Sequence, residues 1–402
     1  RLFAEQALGL GFELCCVMPF PQAEFEQDFD AVNALQADSL DRFRNLLGQA
    51  RTRFEMDGNR VDAGAAYGAA GRVVLNQSDL LVVVWDGERQ DKRGGTEETF
   101  DEARRRGVPV VWVDAHAPHG WQLLSALTTL PQSSDDKPVR ADDSGTGEAL
   151  QKWVHEALDL PIAQRGERKG GLRVGETEED PGCSLQLFYA ERQPRWTMAV
   201  VWKAFRDIVG DSKAPRVTFT VAPFEEAVVG EWPRNHATPI DNLVNWLRPF
   251  YAWPDKLAEL YSDGYRSAYI VAFLLAAIAV GMALMPVGAA FPAHDWAETL
   301  STASEFLAIL AILALVFLGR HLRWHERWMD YRMVAELVRH LRLVAPLGGA
   351  RPFPQIPAHW GVYGQPGASW TAWYVRAIER ALGLPSVVVD KTHVQACLKH
   401  LG

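Results

Sequence analysis

Cysteine is scarce, with four in 402 residues. Cys15 and Cys16 are neighbours, and Cys183 and Cys397 stand alone, so no disulfide framework and no metal-ligand spacing can be assembled from them. A reducing compartment fits that pattern. An excess of base is also missing. With 41 Lys and Arg against 50 Asp and Glu, the formal net charge is −9, which excludes a general nucleic-acid binder; no direct contact with DNA or RNA is expected. No secretory signal and no repeat of solenoid length is visible. The most informative absence is local: from Ser267 to Gly319 there is no Lys or Arg at all.

That basic-free stretch contains two apolar runs, Ser267–Ala290 and Leu300–Leu318, each long enough to cross a bilayer as a helix. Lys256 and Arg266 precede the first, and Arg320, Arg323 and Arg327 follow the second. By the positive-inside rule both flanks face the cytoplasm and the short loop Phe291–Glu298 faces outward. Tyr269, Trp296, Trp324 and Trp328 stand where interfacial anchors are expected. Ala277 and Gly281 form a small-xxx-small pair through which another helix can pack closely. Ser301 and Glu305 open the second span with polar groups. Glu305 lines a water-filled pore or sits as an interfacial acid, and the sequence leaves both readings open. His321 and His325, four apart on the expected continuation of this helix, read either as a metal pair or as part of a basic juxtamembrane surface. No third ligand is evident, so no metal site is expected.

Upstream, SDLLVVVWDGERQDKRGGTEETFDEARRRGVPVVWVD spans Ser78–Asp114. Leu80–Trp85 and Val108–Val113 are Val-rich runs of the kind buried on both faces of a parallel sheet. Thr96–Arg106 between them reads as a helix, with Thr96 as N-cap, acids in the first turn and arginines in the last. Gly94 and Gly95 allow close backbone approach, and free amides at a helix start after a parallel strand make a seat for a phosphate. The same dipeptide also reads as a flexible turn, since neither dinucleotide-loop nor Walker spacing is present.

Elsewhere, a strand is expected at Phe12–Met18, helices at Glu24–Phe54 and Ala63–Asn76, a polar segment at Gln132–Gly147 and a helix at Glu148–Leu158. Trp196–Val209 reads as an amphipathic helix whose aromatics face either the membrane surface or a core. Helical patterns at Trp370–Leu382 and Val388–Leu401 close the chain. The expected divisions are 1–160, an α/β parallel-sheet domain; 161–182, a linker; 183–265, a cytoplasmic connecting segment; 266–343, the two-transmembrane-helix module; and 344–402, a cytoplasmic helical segment.

Two resemblances follow from these residues. SDLLVVVWDG, GGTEETFDEARRRGVPVVWVD and ALGLGFELCCVMPFP resemble the SLOG group of Rossmann-like domains, which includes the Smf/DprA and LOG proteins and the amino-terminal domain of TRPM channels. DKLAELYSDGYRSAYIVAFLLAAIAVG, the second span and RWMDYRMVAELVRHLR resemble the two-helix SLATT membrane modules of bacterial anti-phage systems. The resemblance implies a Rossmann-like sensing domain, with a first strand expected before Arg1. It also implies that Pro19, Trp85, Asp86 and Gly87 border a ligand and that Gly94, Gly95 and Thr96 hold its phosphate, with Glu97 counted among the ligand-binding residues. A nucleotide or an NAD-derived molecule, such as ADP-ribose or a cyclic oligonucleotide, is the implied ligand; no other cofactor is expected.

The expected function is therefore a ligand-gated effector in the bacterial plasma membrane. Both termini would be cytoplasmic, and homo-oligomeric helices would form a pore or disturb the bilayer, since two spans cannot enclose a pore alone. The alternative is a membrane-anchored nucleotide or NAD N-glycosidase of LOG-like type. LOG enzymes carry GGxGTxxE with the last Glu catalytic; here Thr99 occupies that position and Glu98 is displaced by one, which favours the effector over the enzyme.

Overall fold

A computed structural model describes residues 2–29, 38–88, 93–117, 120–124, 147–159, 181–197, 199–211, 217–234, 238–284, 295–349 and 369–399. The expected outer loop at 291–294, the polar segment at 132–146 and most of the linker lie outside them, as do the side chains of Cys183 and Trp296. The chain divides into two compact units. The first comprises Arg1–Cys183, Asn235–Trp246 and Arg339–Gly402, the second Ser184–Arg234 and Leu247–Val338.

The first unit runs α1 (Leu2–Gly9), β1 (Cys15–Met18), α2 (Gln22–Phe25), α3 (Ser39–Gln49), β2 (Thr52–Met56), α4 (Ala63–Gln77), β3 (Leu81–Trp85), α5 (Thr96–Arg105), β4 (Val110–Asp114), β5 (Trp121–Leu124) and α6 (Gly147–Leu158). Among the described residues its strands form two three-stranded sheets. One, in the order β1-β2-β6, is wholly parallel and takes β6 (Val387–Val389) from near the end of the chain, with Phe54 opposite Val387. The other, β3-β4-β5, pairs β3 with β4 in parallel and β4 with β5 antiparallel.

Several expectations are corrected here. Glu24–Phe54 is not one helix: α2 ends at Phe25 and tightens into a 3-10 turn at Glu26–Phe29, α3 covers Ser39–Gln49, and Thr52–Met56 is a strand. Val388 and Val389 are likewise strand, followed by α14 (Lys391–Lys399). β3 is buried on one face only, since Leu81, Val83 and Trp85 are covered while Val82 and Val84 are 39% and 63% exposed. Alternation follows from the two-residue period of a strand, and the Val run hid which side was covered.

Local chemistry accounts for the helices. α4 is rich in Ala, the best helix former, and Asp62 caps it by accepting the Ala65 N–H at 3.2 Å. α5 ends at Gly107, whose φ of 70° suits glycine, and the Val108 N–H closes back on the Ala103 carbonyl at 2.8 Å. The apolar face of α5, Phe100 and Ala103, packs into a core with Leu75, Val83, Trp85 and Val110. α13 (Trp370–Leu382) presents Arg376 and Arg380 to Asp79 just before β3, each at 2.8 Å.

The second unit contains α7 (Pro181–Ala190), α8 (Val201–Ile208), α9 (Phe224–Ala227), α10 (Pro239–Leu284), α11 (Asp295–His321) and α12 (Trp324–Val344) as its helices, some with ends that belong to the first unit. α11 and α12 are not continuous as expected. Arg323 adopts a left-handed φ of 53° between them, which an Arg-rich, helix-favouring sequence gave no sign of.

Candidate functional site

The expected anion seat is built on α4. Its glycines at 64, 68 and 71 recur at helical spacing, and the start of α5 lies against them. A side-chain carbon on Gly94 would come within 2.1 Å of the Gly64 carbonyl, and one on Gly71 within 2.9 Å of the Thr99 hydroxyl. Gly94 also has φ 76°, so glycine is required there twice over. On the other side of the first turn of α4, Gly58 donates its N–H to the Pro19 carbonyl at 3.1 Å; a side-chain carbon on Gly58 would lie 2.6 Å from that of Ala66. The Pro19 loop and the Gly94 loop thus share the amino-terminal end of α4.

Trp85, Asp86 and Gly87 form a second group, held by Trp112. The Trp112 indole N–H donates to the Trp85 carbonyl at 3.0 Å. Asp86 accepts the Glu88 N–H at 3.0 Å, and Gly87 turns with φ 78° beside the Trp112 ring.

The cap of α5 differs from the expectation. Gly95, not Thr96, is the N-cap and offers no side chain; the work passes to Glu98, whose carboxylate accepts the Gly94 N–H at 2.5 Å. The other oxygen of Glu98 lies 3.9 Å from Arg72. A backbone amide of the proposed phosphate loop is therefore engaged by the chain's own carboxylate. Glu98, Arg72, Glu102 and Arg105 line a cavity of about 320 Å³ between α4 and α5. Sequence reading weighed Glu98 only as a displaced catalytic acid and missed this role, which reciprocal capping at three-residue spacing from Gly95 could have suggested.

Behind Pro19, Phe20 is fully buried, edge-on to Tyr67 and under the Arg60 guanidinium at 4.6 Å. Arg60 and the Tyr67 hydroxyl both bond Asp28. Burial, then the Asp28 hydrogen bond, pushes the Tyr67 phenol up to about 12. It remains a donor at every physiological pH.

The second site is the helical pair. The most apolar windows of α10 and α11 are only 11% and 6% buried, unlike the core helices of a soluble protein. Phe273 and Phe317, each 72% exposed, typify their surfaces. Between the two helices the Ser301 hydroxyl donates to the Met282 carbonyl, and Ala279 and Ala308 are the buried alanines of the pair. Ala277 and Gly281 are exposed, and nothing lies within 4 Å of where a Gly281 side chain would begin. Glu305 is half-buried and has no ion-pair partner among the described residues.

Below the spans, Arg266 lies between the indoles of Trp202 and Trp328, at 5.1 and 5.2 Å. Tyr265 packs on Tyr269, His325 and Trp328. His325 is spent in this aromatic belt, while His321 stacks on Phe317; no group of metal-binding residues is found among the described residues. Sequence reading missed the polar centre of this end. Glu191 accepts from the Tyr261 hydroxyl at 2.7 Å, the Tyr331 hydroxyl at 2.9 Å and Arg327 at 3.1 Å, joining the segment after α7 to α10 and α12.

These features define a class: a chain with small α/β sheets and, among the described residues, two exposed helices long and apolar enough to span a membrane, which marks it as a membrane protein. Residues 249–344 match the model of DUF4231, a family of proteins of unknown function. The match takes in α11 and α12 whole, α10 from residue 249 onward, and none of the α/β strands. No curated protein and no solved structure matches the chain.

Proposed function

We propose that this chain is a ligand-gated membrane effector. Its Rossmann-like, SLOG-type part binds a nucleotide or NAD-derived signal at Gly94–Thr96, and a SLATT-like pair of helices in the bacterial plasma membrane responds by assembling or rearranging into a pore, in defence against phage. The observation that carries the reading is the joining of two helices whose apolar windows are 11% and 6% buried to a glycine loop at the carboxyl end of a parallel strand. Gly94, Gly95 and Thr96 offer backbone amides to a phosphate, Glu97 begins the same turn, and Pro19, Trp85, Asp86 and Gly87 border the ligand.

A ligand shifts such an equilibrium only by its differential affinity for two states. α10 and α12 each run from residues of one compact unit into residues of the other, so a continuous backbone connects binding to the spans. Two spans need further copies to surround a pore, and the exposed small residues Ala277 and Gly281 supply a surface for close helix contact. Glu305 then faces the aqueous interior of the assembly, the setting that best accommodates an unpaired acid near a membrane.

Dye or ion release from liposomes carrying the purified protein tests the reading, with NAD, ADP-ribose and cyclic oligonucleotides added one at a time. Release with one of them, lost in the double variant Gly95→Asp, Thr96→Ala, is the expected result. A folded, inserted protein that releases nothing with any of them would overturn it.

A further inference from the structure

A cavity of about 520 Å³ opens at the end of the spans that the basic flanks assign to the cytoplasm. None of the residues of the aromatic belt lines it. Along α10 its lining runs from Leu257 to Val271, about 21 Å at 1.5 Å per residue, so it extends from headgroup depth into the hydrocarbon. The chemistry changes along that length. Ala268, Val271 and Leu315 line the inner end; Arg192, Thr197 and Tyr261 line the outer end.

The charge at the outer end is one-sided. Glu191 borders the cavity, but its charge is paired with Arg327 at 3.1 Å, and both tyrosine hydroxyls donate to the same carboxylate oxygen. Arg192 is exposed and has no carboxylate partner among the described residues. The cavity therefore presents an uncompensated cation beside a hydroxyl, above an apolar channel. Trp196, 68% exposed, and Trp324 stand at its edge, as aromatics do at a membrane interface.

Gly264 keeps the groove open. A glycine within a long helix costs about 1 kcal/mol relative to alanine. Nothing nearby demands it: a side-chain carbon there would meet only Ala199, at 4.0 Å. What its missing side chain leaves is room, in the middle of the groove wall.

We infer that this groove seats one anionic phospholipid of the cytoplasmic leaflet, its phosphate at Arg192 and Thr197 and an acyl chain along Ala268, Val271 and Leu315. The inference goes beyond ligand gating and needs only that the two helices cross a bilayer. Continuity with the spans supplies the lipid, and the free Arg192 selects its charge.

Native mass spectrometry of the detergent-solubilised full chain, titrated with phosphatidylglycerol or phosphatidylcholine, tests it without any nucleotide. The expected result is one tightly retained phosphatidylglycerol, held about fivefold better than phosphatidylcholine, as one basic residue near a lipid surface supplies. Gly264→Leu, a substitution that favours the helix, should abolish the retained lipid. Arg192→Gln should keep a lipid and lose the preference for phosphatidylglycerol. Equal retention of the two lipids by the unaltered chain, or undiminished retention by a folded Gly264→Leu, would overturn the inference. Vesicle co-sedimentation reports separately whether the helices insert, so failure here is distinguishable from failure of the gated effector.

Discussion

The Glu98 carboxylate lies on the Gly94 amide, inside the loop proposed to hold a phosphate. A ligand phosphate must displace that carboxylate or share the helix start with it. Replacing Glu98 with Gln removes a like charge worth about 0.3–1 kcal/mol at a helix terminus, so ADP-ribose should bind roughly two- to fivefold more tightly. Isothermal titration calorimetry reads the change, and unaltered or weaker binding would show that the carboxylate does not compete.

Asp79 ties β3 to α13 through Arg376 and Arg380. Burial alone would raise its carboxyl, but the Arg380 hydrogen bond, followed by the charge and hydrogen bond of Arg376, outweighs burial and holds it below the ordinary value. A depressed acid contributes stability above its unfolded pKa, about 4, and loses it as pH falls through the lower folded value. Thermal melts from pH 6 to pH 3 should therefore show a steep acid loss that is shallower in Asp79→Asn. Near neutral pH that variant should melt lower, with about 1–3 kcal/mol lost because Arg380 loses its anion and Arg376 keeps only Glu379.

Glu191 is 11% exposed at its side chain and accepts from three groups. Glu191→Ala leaves Arg327 without its carboxylate and should cost about 3 kcal/mol, whereas Tyr331→Phe removes one donor and should cost about 1 kcal/mol. Denaturation monitored by tryptophan fluorescence in detergent distinguishes the two, and comparable losses would mean that the network is not centred on Glu191.

Leucine substitutions separate contacts within a chain from contacts between chains. Ala279→Leu and Ala308→Leu place bulk at buried positions of α10 and α11, and should lower the melting temperature of the detergent-solubilised chain. Ala277→Leu and Gly281→Leu lie on an exposed face, and should leave melting unchanged while reducing chemical cross-linking between copies in membranes. Cross-linking undiminished by both outer substitutions would remove this face from the assembly.

The parts legible in the sequence are those whose signal is local. β3, α5, β4 and the two apolar helices announce themselves by run length, periodicity and end signals. β2 did not, because TRFEM alternates charge and apolar residues next to a helical pattern, and three-residue β6 is too short to register. Nor did Glu191, whose partners stand 70 and 140 residues away for the two tyrosines and 136 for Arg327. Within the candidate site, the glycines that permit close packing were readable as small residues at helical spacing. The carboxylate lying on one of the loop amides was not, since a side chain that folds back on its own loop leaves no periodic trace.

α10 contains 46 residues and so measures about 69 Å, more than twice the hydrocarbon thickness of a bilayer. Its apolar end uses less than half of that, leaving about 42 Å of the same rod beyond the membrane. The part from Asp255 to Leu284, about 45 Å long, amplifies: tilting it by about 5° at one end carries the other through about 4 Å. Pro249 and Pro254, each lacking the N–H that would complete the backbone ladder, fall within the outer portion. Bending is cheapest there, which leaves the stretch from Asp255 onward to move as a single stiff piece.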